Sequence, residues 1–476
     1  MKFQPKAERG AVKIKFIKGF LSRFDGKTLS VGCGDPSTLL RAGKTHLTRR
    51  KFVLQMRKVI SLAKQNKIRS VAVDFKDIKA LAPKDFTDNE AGKITAIAFV
   101  MAGYEHNTYK TKAKDAYAGV EIVAVLNTPE PAKSGGGVGE QVAAAVNAAR
   151  ELSNTPGGDM TPTVLARAAK AAAKTAGAGP KLTVKVLGRK EMQKIGMGAV
   201  LGVAKGSAEE PQFIVMEYKG GPKSQKPVVL VGKGVTFDTG GLQIKPGDHM
   251  YEMHMDMSGG AAVIHAICLA AKLKLKVNVV ALVPAVENAL SGSAVRPGDI
   301  LKSLSGKTIE ILHTDAEGRV ILADAITYAK RYNPAIVVDV ATLTGAALVA
   351  LGEQASAVMM RPAEPTDVMN ILDLAENSGD YLWPMPLWEE YDDMVKGKFG
   401  DVPNISTAGN SRYGGVIAGG KFLEVFAKEL DCPWVHIDMA PKMTAAPNEF
   451  LAKGAAGAPV RLLLALIEKH VNRPAR

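Results

Sequence analysis

The chain has 476 residues, of which 46% are hydrophobic, and a formal net charge of +15 at pH 7. This composition fits a large globular protein, and the absence of any run near the roughly 20 apolar residues of a membrane span excludes a membrane-spanning one. The first ten residues lack the apolar core of a secretory signal, and the three cysteines (Cys33, Cys268 and Cys432) lack metal-ligand spacing. A cytoplasmic protein with reduced thiols is therefore expected.

Residues 1–127 alternate short strand-like runs with helical stretches, which predicts a small N-terminal α/β domain. The strand-like runs are Val12–Ile17, Ser70–Phe75 and Ala118–Leu126, and the helical stretches are Leu47–Lys67 and Asn89–Glu105. The segment Thr128–Gly137 contains two prolines and three glycines. It predicts a linker, with a domain boundary after residue 137.

The positive charge lies at the start of the chain. Residues 1–70 hold 18 lysines and arginines against three acidic residues, and the rest of the chain carries 44 of each kind. The segment Leu47–Lys67 predicts a basic amphipathic helix with four apolar positions that face inward: Phe52, Met56, Ile60 and Leu62. The simpler interpretation is a solvated lysine-rich face. An anion-binding surface for nucleic acid and a transit peptide are the alternatives, and the strand-like pattern of Val12–Ile17 argues against the last.

From residue 138 to residue 476 the sequence predicts a larger, C-terminal catalytic α/β domain. A helix over Gly139–Leu152 is broken at Asn154–Gly158, and strands and helices then alternate up to the helical segment Ala458–Asn472. This order favours a mixed sheet flanked by helices.

Two acidic clusters follow predicted strands of this second domain. The apolar run Pro227–Val231 predicts a buried strand, and it is followed by four residues of the first cluster: Lys233, Asp238, Lys245 and Asp256. The run Lys307–Leu312 predicts another strand, and Asp315 and Glu317 come just after it. Because ligands of open α/β sheets gather beyond the carboxyl ends of strands, we expect the two clusters to share one site.

The run Asp315–Arg319 places two carboxylates and a guanidinium within five residues. Carboxylates so close repel each other unless a cation lies between them, and oxygen ligands suit Mg²⁺, Mn²⁺ or Zn²⁺. A metal pair would activate a water, Lys245 would polarise a substrate carbonyl, and Arg319 would hold a bicarbonate-like anion or the developing oxyanion. Lys233 would join as a ligand only with a neutral amine. The simpler alternative is the acidic first turn of a helix over Val320–Arg331. Asp324 fits a structural role better than a ligand role, because it lies well inside that helix.

These residues make the chain resemble the leucyl aminopeptidase family of dimetal peptidases. The family's signature octapeptide reads Asn-Thr-Asp-Ala-Glu-Gly-Arg-Leu, and this chain reads His-Thr-Asp-Ala-Glu-Gly-Arg-Val over residues 313–320. Similar matches cover residues 232–241, 244–246, 256–259, 322–325 and 341–345. The resemblance is strong over roughly residues 140–465 and covers the first part of the chain in outline.

By motif position, the resemblance implies removal of the N-terminal residue from peptides with a free N-terminus. The tighter metal site would use Lys233, Asp238, Asp256 and Glu317. The more exchangeable site would use Asp238, Asp315 and Glu317. Lys245 and Arg319 match the two catalytic positions. The resemblance also assigns substrate contacts to Lys245, Met253, His313, Thr342, Leu343 and Gly345.

The cofactors implied are two divalent metal ions per subunit, Mn²⁺ or Zn²⁺ with Mg²⁺ or Co²⁺ as further options, and a bicarbonate on Arg319 as general base. The resemblance also implies a homohexamer of two stacked trimers with active sites that face an enclosed cavity. A DNA-binding protein on a peptidase scaffold, with or without activity, is the alternative function, because some bacterial members of the family bind DNA.

Two departures from the family pattern fall at positions that, in the family, lie near the substrate side-chain pocket. His313 replaces the family's asparagine, and His436-Ile-Asp-Met-Ala-Pro441 replaces His-x-Asp-Ile-Ala-Gly. These departures leave the preferred N-terminal residue open, although they leave the reaction unchanged. An imidazole at residue 313 also predicts a pH dependence in the neutral range.

Overall fold

Strands alternate with helices along the described part of the chain, which forms two α/β units, each with its own hydrophobic core. The computed structural model describes residues 1–4, 6–17, 22–32, 47–111, 117–362, 364–409 and 413–471. The first unit contains Met1–Asn147 and Ala445–Lys453, and the second contains Ala148–Thr444 and the residues from Gly454 onward. The predicted α/β fold class is confirmed.

The first unit is built on a six-stranded sheet. Its strands are β1 Lys2–Gln4, β2 Val12–Ile17, β3 Arg23–Phe24, β4 Thr28–Gly32, β5 Ser70–Asp74 and β6 Ile122–Leu126. The described helices are α1 Arg49–Gln65, α2 Phe75–Leu81, α3 Asp88–Gly103 and α4 Glu130–Asn154, of which the last continues into the second unit. The strand order is β1-β6-β5-β2-β4-β3, parallel except for the pair β3 and β4.

Helix α1 has the predicted amphipathic character. Phe52, Met56 and Ile60 are fully buried, and Leu62 is half-buried against the same core. Thr48 caps its first turn by accepting a hydrogen bond from the backbone N–H of Lys51. The inward positions follow a helical spacing because one face of the helix packs on the sheet.

The predicted linker Thr128–Gly137 is wrong from Glu130 onward, because these residues form the first turns of α4. The glycines there allow close helix packing instead of a break. A side chain at Gly135 would overlap the backbone carbonyl of Asn89 in α3, and one at Gly139 would overlap that of Lys93. The predicted boundary after residue 137 therefore falls inside a continuous helix.

The second unit contains a nine-stranded mixed sheet. Its strands are β7 Leu182–Leu187, β8 Gln212–Lys219, β9 Val228–Gly232, β10 Gly234–Asp238, β11 Asn278–Asn288, β14 Ile336–Ala341, β15 Ser356–Arg361, β16 Leu382–Pro384 and β18 Trp434–Asp438. A separate three-stranded sheet contains β12 Ile300–Lys302, β13 Thr308–Glu310 and β17 Val402–Pro403. The large sheet has the order β16-β15-β18-β14-β9-β11-β8-β7, and β10 also pairs with β11.

The helices of the second unit cover this sheet. They are α5 Pro162–Ala176, α6 Arg189–Ile195, α7 Gly198–Val203, α8 Gly247–Met250, α9 Ser258–Lys272, α10 Glu317–Ala329, α11 Gly345–Leu351, α12 Pro365–Ser378, α13 Gly415–Ala427 and α14 Val460–Glu468. Both α9 and α10 contact β9, β11 and β14, and all five residues of β9 are buried. Complete burial of a parallel strand indicates helices on both faces, which confirms the predicted mixed sheet flanked by helices.

One strand differs from the sequence prediction. The run Lys307–Leu312 forms only the three-residue strand β13, and β13 belongs to the small sheet rather than to the large one. Its alternation of polar Thr308 and Glu310 with apolar Ile309 suits a short strand, whereas β9 at the centre of the large sheet has no polar side chain. Asp315 and Glu317 therefore do not follow a strand of the large sheet.

Among the described residues, no helix combines the length and the apolar character needed to cross a membrane.

Candidate metal centre

The two acidic clusters converge in the second unit, beyond the carboxyl ends of central strands of the large sheet. Lys233 directly follows β9, Asp238 ends β10, and Glu317 is the first residue of α10. The backbone N–H of Lys233 donates to the carbonyl of Val340 at 2.9 Å, which ties Lys233 to the neighbouring strand β14. Main-chain pairing of the central strands therefore places the start of the first cluster beside the end of β14.

Lys233 lies between two carboxylates. Its Nζ is 2.8 Å from Oδ2 of Asp256 and 2.8 Å from Oε1 of Glu317, and it donates to the carbonyl of Thr342 at 2.9 Å. All four residues are at least nine-tenths buried. Burial by itself lowers the pKa of Lys233, but the nearby carboxylates outweigh burial and raise it. The amine could therefore bind a metal only if a cation displaced its proton.

Glycine at residue 318 makes this arrangement possible. A side chain there would lie 2.7 Å from Nζ and Cε of Lys233. The Gly between Glu317 and Arg319 thus leaves the space into which the lysine side chain extends.

Lys245 joins the remaining two carboxylates. Its Nζ is 2.8 Å from Oδ2 of Asp238 and forms a short ion pair with Asp315. The loop that carries Lys245 turns at Gly240 and Gly241, which have φ of 88° and 67°. L-residues rarely adopt these angles, so glycine is required at both positions.

Thr342 holds the side chain of Asp256. Its Oγ1 donates to Oδ1 of Asp256 at 2.6 Å, which leaves Oδ2 facing Lys233. The loop after Thr342 is fixed by Asp438, which accepts from the backbone N–H groups of Leu343 at 3.1 Å and Thr344 at 3.4 Å and from the Thr344 hydroxyl at 2.6 Å. Thr342 thus contacts the cluster directly, and Leu343 is the next residue of the same loop.

His313 contacts the loop of Asp315 rather than a carboxylate. Its Nδ1 accepts a hydrogen bond from the backbone N–H of Asp315 at 3.2 Å, and Asn404 binds the backbone of His313 on both sides. Burial lowers the pKa of His313, and the Lys245 cation lowers it further. The ionisation expected in the neutral range therefore moves toward acid pH.

Arg319 is buried in the first turn of α10, and its Nε has no hydrogen-bond partner among the described residues. Burial lowers the pKa of Arg319 to about 10, against the opposing effect of Glu317 and Asp438. A side chain at Gly419 of α13 would lie 3.6 Å from Nη2 of Arg319, so the guanidinium points toward that helix. A buried guanidinium with an unpaired N–H is suited to an anion.

Two further predicted substrate contacts, Met253 and Gly345, are not fully buried. Met253 is half-buried in a 3-10 turn three residues before Asp256, and Gly345 is the exposed first residue of α11. Asp324 lies outside the cluster, since it accepts hydrogen bonds from the backbone of Ala199, Val200 and Leu304. The structural role predicted for Asp324 is confirmed.

The cluster fits divalent cations. Asp238, Asp315 and Glu317 each offer an oxygen, and these oxygens lie within 4.8 Å of one another. Burial raises the pKa of Asp256, and it raises that of Asp315, where the charges of Asp238 and Glu317 add to the effect. Two lysines form ion pairs with these four carboxylates. Divalent cations would reduce the remaining repulsion between the carboxylates.

Several residues around the carboxylates were missed by the sequence interpretation. Asn288 donates to Asp238, and Gln243 and Thr314 bind each other through two hydrogen bonds of 2.8 and 2.9 Å. Their only sequence signal is position: Asn288 ends the long apolar strand β11, and Thr314 precedes a predicted ligand.

Comparison with known proteins identifies the family of this chain. The model of the cytosol aminopeptidase family, catalytic domain, matches residues 147–464. A probable cytosol aminopeptidase of Syntrophotalea carbinolica is 43% identical over 400 residues, which are 82% of this chain and 77% of that protein.

Two solved structures are similar over nearly the whole chain. The bottromycin maturation enzyme BotP in complex with Mn has a TM-score of 0.82 and 29% identity, and covers 97% of this chain and 99% of its own. A mutant tomato leucine aminopeptidase has a TM-score of 0.80 and 31% identity, and covers 94% of this chain and 83% of its own. The chain therefore belongs to the cytosol aminopeptidase family and is an exopeptidase hydrolase of the leucyl aminopeptidase type.

Proposed function

We propose that this chain hydrolyses the N-terminal residue from peptides with a free N-terminus, using two divalent metal ions held by its clustered carboxylates. The observation that carries the proposal is the convergence of Asp238, Asp315 and Glu317, whose oxygens lie within 4.8 Å of one another. Asp256 extends the cluster through its contact with Lys233, which also reaches Glu317.

The tighter ion would be held by Lys233, Asp238, Asp256 and Glu317, and the more exchangeable ion by Asp238, Asp315 and Glu317. When bound, such ions supply Lewis-acid polarisation and lower the pKa of a water toward neutrality. Mn²⁺ and Zn²⁺ are the first candidates, followed by Mg²⁺ and Co²⁺, and the similar BotP structure is a complex with Mn.

Lys245 would polarise the carbonyl of the scissile bond. Its ammonium already lies among the carboxylates, between Asp238 and Asp315. In a buried site a fixed positive charge stabilises the developing oxyanion more strongly than in water. Lys245 is therefore expected to act on the reaction rate more than on metal content.

Arg319 would hold a bicarbonate-like anion, which supplies a general base. The support is its buried guanidinium, whose Nε has no partner among the described residues. Arg319 lies two residues after the proposed ligand Glu317 in α10, so its guanidinium would hold the anion from the same helical turn.

Recognition of the N-terminal side chain would fall to Met253, His313, Thr342, Leu343 and Gly345. The side chain of Thr342 is already oriented by its hydrogen bond to Asp256, so it would form a fixed part of the substrate pocket. The segment Met439-Ala440-Pro441, which departs from the family pattern, follows Asp438, and Asp438 accepts hydrogen bonds from both Thr344 and Ala440. The identity of the preferred residue is set by these positions together.

A homohexamer is part of the proposal. It rests on the resemblance to the family, and the exposed aromatic side chains of the second unit are the first candidates for burial between subunits: Trp383, Trp388, Phe399 and Tyr413. Sedimentation velocity would test the assembly, and a monomer at micromolar concentration would contradict it.

The deciding experiment measures hydrolysis of a panel of aminoacyl amides after chelation and re-addition of each metal. Asp256→Ala and Glu317→Ala are expected to abolish turnover with every metal, and Lys245→Ala to lower kcat with little change in metal content. Asp431→Ala, at an exposed acidic residue, is the matched control and should behave as wild type. Full activity in the presence of a strong chelator, with no metal in the purified protein, would overturn the proposal.

A further inference from the structure

We propose that Asn288 is a positioning residue that aligns two carboxylates at once, Asp238 directly and Asp315 through Thr314. Asn288 thereby sets the affinity of the more exchangeable metal site. This inference rests on the proposed two-metal function, since both carboxylates are proposed ligands there.

The sheet register brings Asn288 and Asp238 together. Strand β10 pairs with β11 in parallel, with Val235 opposite Val286 and Asp238 opposite Asn288. Three steps along β10 thus correspond to two steps along β11, so a bulge lies between Val235 and Asp238. Such a bulge re-aims the side chains that follow it, and here it turns the carboxylate toward the end of β11.

Asn288 holds one carboxylate oxygen of Asp238 in place, and the other oxygen faces the cluster. Its Nδ2 donates to Oδ1 of Asp238 at 2.8 Å, and the backbone N–H of Gly240 donates to the same oxygen at 2.9 Å. Oδ2 is left to face Lys245 at 2.8 Å. With Oδ1 held twice, the carboxylate cannot rotate, and Oδ2 remains directed into the cluster.

The same amide nitrogen reaches the second loop. Nδ2 of Asn288 also donates to the carbonyl of Thr314 at 3.1 Å, and Thr314 directly precedes Asp315. Both partners of this nitrogen are acceptors, so the orientation of the amide is fixed by chemistry. The Thr314 side chain then continues the network, since its hydroxyl donates to the carbonyl of Gly240 and accepts from the backbone N–H of Gln243 at 2.9 Å.

The surroundings leave no substitute for this amide. Asn288 is 1% exposed, so water does not replace a lost donor. Its Oδ1 lies where a side chain at Gly241 would come within 3.1 Å, which keeps the amide packed against the turn that leads to Lys245. Removing the donor therefore leaves Oδ1 of Asp238 held by the backbone N–H of Gly240 alone and removes the amide bond to the Thr314 carbonyl.

The test compares Asn288→Asp and Asn288→Ser with wild type by Mn²⁺ titration, with free Mn²⁺ measured by electron paramagnetic resonance. Wild type should bind two equivalents. Loss of a hydrogen bond that orients a ligand commonly weakens metal binding about 10–100-fold, and we expect this loss mainly in the weaker step. Saturating Mn²⁺ should restore much of kcat in Asn288→Ser, a rescue that a purely structural defect would not show.

Asn278→Asp is the matched control, because Asn278 begins the same strand and clasps the carbonyls of Pro222 and Gln225 through its own Nδ2. It should lower thermal stability but leave both Mn²⁺ affinities unchanged. Wild-type Mn²⁺ affinities in Asn288→Ser would overturn the inference, and so would equal weakening in Asn278→Asp. If wild type itself bound no Mn²⁺, Zn²⁺, Mg²⁺ or Co²⁺, the proposed function would fail instead. Asn288→Ser decides the outcome if Asn288→Asp does not fold.

Discussion

Nδ1 of His313 accepts a hydrogen bond from the backbone N–H of Asp315, two residues further along the chain. An asparagine at this position would offer its side-chain oxygen to the same N–H, as in an Asx-turn. The imidazole therefore takes over the acceptor role of the residue found in the family's octapeptide. This relationship explains how the loop of a proposed metal ligand keeps its conformation despite the substitution.

We expect His313→Asn to retain the Mn²⁺ affinity and the kcat/KM of wild type within a few-fold, because it keeps an acceptor for the N–H of Asp315. His313→Ala removes the acceptor and should weaken Mn²⁺ binding by about fivefold, the equivalent of one net hydrogen bond of about 1 kcal/mol. Metal titration and steady-state kinetics check both variants. Equal loss in His313→Asn and His313→Ala would show that the ring, and not its acceptor, matters.

The contact between α3 and α4 gives a second prediction. Gly135→Ala places a methyl group against the carbonyl of Asn89 and should destabilise the first unit by about 1–3 kcal/mol, as overpacking does. Gly137→Ala lies two residues away with open space around it, so it should stabilise the helix by about 0.5–1 kcal/mol. Hydrogen exchange of the α3 and α4 amides measures both. Identical effects of the two substitutions would contradict a packed helix at residues 130–137.

Residues 130–137 also show which features of the fold the sequence alone does not predict. Two prolines and three glycines are common in linkers, and only the neighbouring helix reveals that Gly135 and Gly139 are contact positions. The proposed ligands Asp315 and Glu317 were found because their chemistry lies within one short motif. Asn288 was not, because its role depends on a bulge that brings it opposite Asp238, and no local pattern encodes that register.

A buried pair in the large sheet predicts how stability depends on pH. Nδ1 of His436 lies 2.5 Å from Oδ1 of Asp339, whose Oδ2 accepts from the indole N–H of Trp434 at 2.7 Å. Burial by itself lowers the pKa of His436, but Asp339 outweighs burial and raises it above the ordinary value. The folded chain therefore holds this proton more tightly than the unfolded chain does.

The stability from this pair is fully present below about pH 6.5, the ordinary histidine pKa, and is lost as pH rises through the folded pKa. We expect the denaturation midpoint of the second unit to fall as pH is raised from 6.5, and Asp339→Asn to flatten that fall. His265→Leu is the control, because burial lowers the pKa of His265 to about 4 and this residue is neutral in both states above pH 7. An unchanged pH slope in Asp339→Asn would refute the assignment.

The basic first 70 residues lead to a prediction about nucleic acid. Several cations of α1 already have partners within the first unit: Lys58 donates to the carbonyl of Gly32 at 3.0 Å, Lys64 binds Glu105, and the Arg49 guanidinium lies 4.4 Å from the ring centre of Phe86. Side chains used in this way stabilise the fold, and they are less available to phosphates. The prediction concerns the described cations, since residues 33–46 lie outside the described part of the chain.

We therefore expect duplex DNA to bind weakly at 50 mM salt and to be released by about 200 mM, because a surface that neutralises few phosphates has little affinity at the outset and salt removes what remains. Mobility-shift titration at the two salt concentrations measures this, with heparin as a polyanion that carries no base sequence. Heparin and DNA should compete equally if the basic face is only a solvated surface. DNA binding that survives 200 mM salt and resists heparin would instead support the second function, and the exposed Lys51 of α1 would be the first position to reverse in charge.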